Sequence, residues 1–315
     1  MQKMKSIIIT GANSGIGFAC AMHMARIAPN EQIILACRNK LAGDKAIETI
    51  QQETNHQHLI CLPLNLASLQ SIKAFKTGIS KFPTPVITTL VNNAGGQFVG
   101  ETDYTKDGFE ITFGTNHLGG FYLTLLLLPF IDENGSIVFT ASGTHDPKQK
   151  TGMPAPEFKS PKLLAHPVPT TEKLLKVGQV RYTTSKLCNV LTTYELQRRL
   201  SNTTIRVNAF DPGLVPGTGL ARNNPPILKF VFNYIFKIML VILPKVAHTA
   251  KKSGRHLAEL AYADQFINTK GKYLERSNEI KSSEESYNEN YQVELWKGSV
   301  ELTGISQKDT TVMLT

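Results

Sequence analysis

Tyr182 and Lys186 stand four residues apart in the run YTTSK, and of nine tyrosines only Tyr182 has a lysine at that offset. On a helix this spacing puts both side chains on one face, one turn apart. A free phenol, with a pKa of about 10, is a poor acid or base at neutral pH. A nearby ammonium favours the phenolate and lowers that pKa. The pair is therefore a candidate proton donor and acceptor, and Lys186 could also hold a ribose. Ser142 ends the apolar run SIVFTAS (136–142) and can hydrogen-bond a substrate carbonyl. His117 and His145 read as structural hydrogen-bonding residues, and Cys188 as helix packing with no cationic neighbour to activate it.

A second constellation lies near the start. TGANSGIG (10–17) separates an apolar run from an Ala/Met-rich helical pattern. Gly11 suits a tight turn. Gly15 and Gly17 let the backbone approach a diphosphate and let the helix pack on the sheet. Asn13, Ser14 and Ile16 complete the loop, and the helix N-terminus offers N–H groups to phosphate. Arg38 ends the second strand where NAD-dependent enzymes carry an acidic residue for the ribose 2′-hydroxyl. An arginine there pairs with a 2′-phosphate, so NADP(H) is favoured over NAD(H). Asn65 and Leu66 follow the third strand, where Asn65 can either meet adenine or cap the next helix. Asn93, Ala94 and Gly95 follow the fourth strand and line the same trough, unless they form a plain polar turn.

The elements that must position these groups alternate. Strand-like runs at 6–10, 32–38, 58–64, 86–93 and 136–142 are separated by helical patterns at 40–54, 68–81 and 108–130. Such alternation predicts a Rossmann-type, doubly wound α/β fold with a parallel sheet in a single domain. The stretch 143–181 holds six of the 16 prolines and reads as a long, mostly irregular insertion. A helix at 182–200 and a strand at 204–210 follow. Residues 227–243 are the most apolar. Lys229, Asn233 and Lys237 make a polar stripe on them, which suits a pocket lid or a helix lying on a membrane better than a span, with an ordinary buried helix carrying one wet face as the equal alternative. The tail 284–302 is helix-compatible, with Tyr287, Tyr291 and Leu295 expected to pack.

The chain has 315 residues and a formal charge of +9. No dense Lys/Arg block interleaves with aromatics, which argues against nucleic acid. Cys20, Cys37, Cys61 and Cys188 lie far apart with no CxxC or Cys/His pairing, which argues against a disulfide scaffold and a zinc site and fits a reducing, cytoplasmic compartment better. No secretory signal is read at the N-terminus.

Together TGANSGIG, NNAG, TNHLG, the strand-end Ser142, YTTSK and DPG (211–213) resemble the short-chain dehydrogenase/reductase superfamily over roughly residues 5–275. The resemblance implies catalysis by Ser142, Tyr182 and Lys186, joined by Asn116 holding a water in the proton relay. It also implies that Pro212, Gly213 and Thr218 face the nicotinamide. ACRN, TNHLGGF and YTTSKLCNVLTTYELQRRL are similar to the branch with protochlorophyllide and retinol dehydrogenase-like reductases. Protochlorophyllide reductases carry Cys after the PG motif where this chain has Leu214, which argues against light-driven ring reduction. The resemblance thus implies an NADP(H)-dependent enzyme acting on an apolar carbonyl or alcohol. A tetrapyrrole ring reductase and a non-catalytic NADPH-binding scaffold are the alternatives. The segment 214–245 is expected to form the substrate lid and 276–315 a C-terminal extension. Peripheral membrane contact through 227–243 and a homo-oligomer are compatible with this reading.

Overall fold

A computed structural model describes residues 4–83, 85–216 and 248–315. Thr218 and the apolar segment 227–243 lie outside these residues.

The strands are β1 (Lys5–Thr10), β2 (Gln32–Cys37), β3 (Leu59–Pro63), β4 (Val86–Asn92), β5 (Ile131–Thr140), β6 (Arg206–Asp211), β7 (Tyr273–Glu275) and β8 (Asn278–Glu279). They form one sheet in the order β3-β2-β1-β4-β5-β6-β7-β8. Every pairing is parallel except the short β7–β8 edge pair. The sheet is therefore mixed, where the sequence predicted a parallel one. The central strands are isoleucine-rich because helices cover both faces. Side chains alternate between two cores with a period of two. Ile8 and Ile34 enter one core, while Ile7, Ile9, Ile33 and Leu35 enter the other.

The helices are α1 (Gly15–Ile27), α2 (Lys40–Thr54), α3 (Leu69–Ser80), α4 (Ile111–Phe113), α5 (Gly119–Leu127), α6 (Pro161–Ala165), α7 (Leu174–Arg199), α8 (Ala250–Tyr262) and α9 (Glu289–Thr303). Local chemistry sets their starts. The Asn39 and Ser68 side chains accept from Ala42 and Ser71 N–H and cap α2 and α3.

Three expectations need correction. The helix expected over 108–130 is broken by a π turn at Gly114–Leu118 between α4 and α5. The segment Ile111–Phe130 is long and apolar enough to cross a membrane, but it is largely buried within the fold, as a core helix is. Helix α7 begins at Leu174 rather than near 182, so the irregular insertion is shorter. Proline content marked that insertion, but the last proline is Pro169, which leaves 170–181 free to wind. The α8 helix and the β7–β8 pair were not anticipated. The C-terminal segment packs closely: Trp296 is buried in the first core and its indole N–H donates to Leu314 O at 3.1 Å.

Candidate active site

The sheet order reverses direction at β1/β4, and ligands of such sheets bind outside the strand ends at that switch. The Gly-rich loop leaves β1 there. Gly11 has φ +66° and Gly15 φ +59°, both in the region that glycine reaches without strain. A Cβ on Gly17 would stand 2.5 Å from both Asn93 Nδ2 and Gly11 O. Only glycine fits, and the backbone is left open for a close approach. Ser14 begins α1, is exposed, and makes no side-chain cap bond, while Asn13 and Ile16 are partly exposed beside it.

Thr10 ties this loop to the next. Its hydroxyl donates to Val91 O (3.2 Å) and accepts from Asn93 N–H and Ala94 N–H (2.9 Å each). Asn93 Nδ2 returns a bond to Thr10 O at 3.0 Å. Asn93, Ala94 and Gly95 thus lie partly exposed against the Gly-rich loop. Arg38 is exposed immediately beyond β2. Asn65 Oδ1 accepts from Ala67 N–H at 3.2 Å, so its side chain is engaged in the turn before α3. Leu66 is buried, and its carbonyl lies 2.4 Å from where a Cβ on Gly119 would stand. These features fit a dinucleotide, with a cradle that a single methyl would fill and a cation beside the second strand.

The candidate reacting groups collect at the ends of β4 and β5. Ser142 follows β5, and its hydroxyl accepts from Thr144 N–H at 3.3 Å. The Ser142 side chain lies close enough to the Tyr182 hydroxyl to favour its phenolate form. Lys186 Nζ lies 5.6 Å from the Tyr182 ring centroid and donates to Thr140 O at 2.9 Å. Asn189, one further turn along α7, donates to the same carbonyl at 3.2 Å. Asn116 reaches the cluster from the π turn. It accepts from Gly96 N–H, donates to Gly96 O (2.9 Å each), and donates to Ser185 Oγ at 3.0 Å. Such π turns insert a residue and re-aim side chains, often at functional sites.

Burial sets the resting charges. It pushes the Tyr182 phenol well above its ordinary range, against the pull of the neighbouring Ser142 side chain. The sequence reading had Lys186 lowering that pKa. The structure differs because Lys186 is itself desolvated and its ammonium is directed at Thr140 O. Burial pulls Lys186 down to about 8, with the Asp211 charge acting the other way. In this state Tyr182 is a protonated acid.

Asp211 completes the floor. It is buried, which raises its pKa, and it accepts from Gly213 N–H (2.8 Å) and Tyr273 O–H (2.8 Å). Pro212 is buried and Gly213 has φ +70°. His145 Nδ1 meets Ser142 O at 2.7 Å, and its Nε2 accepts from Ser283 N–H at 3.1 Å. His117 Nε2 meets Ser299 Oγ at 2.9 Å, and Cys188 is buried. Thr10, Ser185, Asn189 and Asp211 were not singled out from the sequence. Only Asp211 carried a signal, a carboxylate directly before PG.

A separate cavity of about 430 Å³ opens on the far face of α7, lined by Glu110, Phe113, Val177, Val180 and Arg181. It lacks Tyr182 and Lys186. Among the described residues no group of three His, Cys, Asp or Glu could hold a metal.

Comparison with known proteins agrees with this geometry. The short chain dehydrogenase family model matches residues 5–153, and an AcuH dehydrogenase domain model matches 220–312. Human polyprenol dehydrogenase is 31% identical over 95% of this chain and 84% of its own length. Human retinol dehydrogenase 13 is 32% identical over 96% and 85%. Protochlorophyllide reductase of Pisum sativum is 29% identical over 96% and 78%. A solved structure of a putative uncharacterized protein from Mycobacterium paratuberculosis matches with a TM-score of 0.70 and 26% identity, over 96% of this chain and 94% of its own. The fold of an actinorhodin polyketide ketoreductase solved with NADPH matches with a TM-score of 0.62 at 20% identity, over 87% and 96%. On its motifs, its sheet and these relatives, the chain belongs to the short-chain dehydrogenases and is a nicotinamide-dependent oxidoreductase of the retinol dehydrogenase-like branch.

Proposed function

We propose that the chain moves a hydride between NADP(H) and a carbonyl or alcohol of an apolar substrate, using Ser142, Tyr182, Lys186 and Asn116. The observation that carries the reading is the gathering of these four side chains at the ends of the central strands β4 and β5, beside the glycine cradle. When bound, the nicotinamide supplies or accepts the hydride.

The protein's own groups handle the proton. Ser142 Oγ hydrogen-bonds the substrate oxygen and polarises the carbonyl. Tyr182 Oη, kept protonated by burial, donates to that oxygen as negative charge develops on it. Lys186 stabilises the phenolate left behind, and its titration at about 8 places it where it can pass on a proton. Asn116, fixed through Gly96 and Ser185, orders the path by which that proton is replaced. Oxidation runs the same steps backwards.

Arg38 supports the choice of NADP(H), since an exposed guanidinium directly beyond β2 can pair with a ribose 2′-phosphate. The polyprenol and retinol dehydrogenases among the relatives support an apolar substrate. The test is a panel of apolar aldehydes and ketones, retinal included, read by NADPH absorbance. Tyr182→Phe should abolish turnover and leave NADPH binding within about twofold, because the phenol acts on substrate rather than cofactor. Retained turnover in that variant sinks the assignment. The pea relative favours a second reading, reduction of a tetrapyrrole ring double bond. An absorbance change on illumination with protochlorophyllide and NADPH would establish it.

A further inference from the structure

The geometry points to His145 as a positioning residue for Ser142: a neutral imidazole, protonated on Nδ1, through which the C-terminal strap 282–287 holds the backbone of the serine.

The ring's partners fix its tautomer. His145 is buried, and its two nitrogens meet groups of opposite kind. Nδ1 lies 2.7 Å from Ser142 O, and a carbonyl oxygen can only accept. Nε2 lies 3.1 Å from the Ser283 nitrogen, and a backbone N–H can only donate. One arrangement satisfies both, with the proton on Nδ1 and none on Nε2. An imidazolium would set N–H against N–H at Ser283, so the ring is neutral. Burial acts in the same sense by lowering the His145 pKa. The Tyr273 ring packs beside the imidazole, with centroids 4.8 Å apart.

The strap that supplies the Ser283 N–H is itself braced. Ser282 Oγ and Ser286 Oγ lie 2.6 Å apart, and Ser286 Oγ donates to Ser283 O at 2.6 Å. Gln292 of α9 donates to Ser286 O at 2.8 Å. Ser282 Oγ also meets the Tyr194 hydroxyl at 2.6 Å, and Tyr194 lies on α7, the helix that carries Tyr182 and Lys186. On its strand side Ser142 follows Ala141, whose N–H donates to Phe210 O at 2.7 Å. On its other side stands one three-residue 3₁₀ turn, Gly143–His145, a helix type with poorer hydrogen-bond geometry. The imidazole closes that turn onto the strap. The direction of Ser142 relative to Tyr182 is thus set through Ser283, 138 residues beyond His145.

The inference rests on the Ser142–Tyr182–Lys186 reading, and its first readout is independent of turnover. NMR of nitrogen-labelled histidine rings, with His145 assigned by the signal lost in His145→Gln, should show Nδ1 protonated and Nε2 bare at neutral pH. An Nε2–H tautomer or an imidazolium overturns the proposal. The second readout removes one N–H. Ser283 has φ −59°, which proline adopts, so Ser283→Pro deletes the donor at a backbone that already suits it. Ser283→Ala is the conservative partner: it keeps the N–H and loses a hydroxyl with no hydrogen-bond partner among the described residues. The substrate is retinal or whichever panel carbonyl the parent reduces. Ser283→Pro should lower kcat about 10- to 100-fold through displacement of Ser142, with NADPH affinity within about twofold of the parent. Ser283→Ala should keep the parent's kcat. A parent-like kcat in Ser283→Pro, or equal losses in the two variants, overturns the proposal. Should Ser283→Pro not fold, His145→Asn and His145→Gln decide. The shorter amide can place an N–H where Nδ1 stands and should keep kcat within about fivefold, while the longer one reaches only the Nε2 position and should lose about 100-fold. The reverse order, or equal losses, overturns the role of His145. Tyr182→Phe is assayed alongside. If it is active, the underlying reading fails and the positioning role falls with it. If it is inactive beside a parent-like Ser283→Pro, only the role of His145 fails.

Discussion

Gly17→Ala adds one methyl group at the tightest point of the cofactor cradle. The new Cβ would lie 2.5 Å from Asn93 Nδ2 and 2.5 Å from Gly11 O, about 0.9 Å inside ordinary contact. Neither neighbour can retreat cheaply. Asn93 Nδ2 is committed to Thr10 O at 3.0 Å, and the Gly11 amide donates to Ala36 O at 2.9 Å. Overpacking of this kind costs about 1–3 kcal/mol. Replacing a helical glycine by alanine returns about 0.5–1 kcal/mol. The net loss is about 0.5–2 kcal/mol, a fall in Tm of a few degrees in a chain this long. Cofactor binding should suffer more. The start of α1 must tilt, and loss of one charge-assisted bond to the diphosphate costs about 1.5–3 kcal/mol. NADPH should therefore bind about 10- to 100-fold more weakly in a fluorescence titration. Gly78→Ala is the control, because the same methyl there meets nothing within 4 Å. It lies in α3 and should be neutral to stabilising by about 0.5–1 kcal/mol. Parent-like NADPH affinity in Gly17→Ala, or an equal loss in Gly78→Ala, would refute the cradle.

Other expectations concern neighbouring parts of the site. Arg38→Asp should weaken NADPH and improve NADH, narrowing or inverting the ratio of their dissociation constants; an unchanged ratio removes Arg38 from cofactor choice. Asn116→Ala leaves the Gly96 N–H and C=O without their partner, and should cost about 2–4 kcal/mol in urea unfolding together with most of kcat. Stability should fall in acid. His117 titrates at about 3 in the fold against about 6.5 unfolded, so the unfolded chain takes up the proton first. The loss begins as pH drops below about 6.5, at about 1.4 kcal/mol per pH unit for that ring, with His145 acting in the same direction. Urea midpoints from pH 7 to 5 should show this slope, and His117→Asn should flatten it.

The alternating strands and helices were legible because burial on both sheet faces demands nearly continuous apolar strands, and Ile7, Ile8 and Ile9 meet that demand. The glycine loop and YTTSK were legible because their chemistry depends on local spacing. The π turn was not. A helix holding Gly114, Gly119 and Gly120 reads as one period, and the bulge arises from close approach to other elements. A Cβ on Gly114 would lie 2.4 Å from Thr105 Cγ2, and one on Gly119 would lie 2.4 Å from Leu66 O. The resting charge of Tyr182 was also hidden. Spacing shows that an ammonium is near, but only the fold shows that both groups are desolvated and that Lys186 points at Thr140 O.

The same distinction explains how the site is held. Each loop at these strand ends hangs on a buried polar side chain. The NNAG loop hangs on Thr10 of β1 and Asn116 of the π turn. The Ser142 loop is gripped by His145, which in turn takes the N–H of Ser283, 138 residues further along the chain. The Pro212–Gly213 turn is tied through Asp211, and Ser253 of α8 donates to Pro212 O at 2.9 Å. A side chain left unpaired in any of these ties costs about 1–3 kcal/mol, most of which the fold can absorb. The loop it held does not return to place so easily, and a shift of about 1 Å in a reacting group costs on the order of a hundredfold in rate. Substitutions at Thr10, His145 and Ser253, none of which touches substrate in the proposed mechanism, should therefore lower kcat far more than they lower Tm.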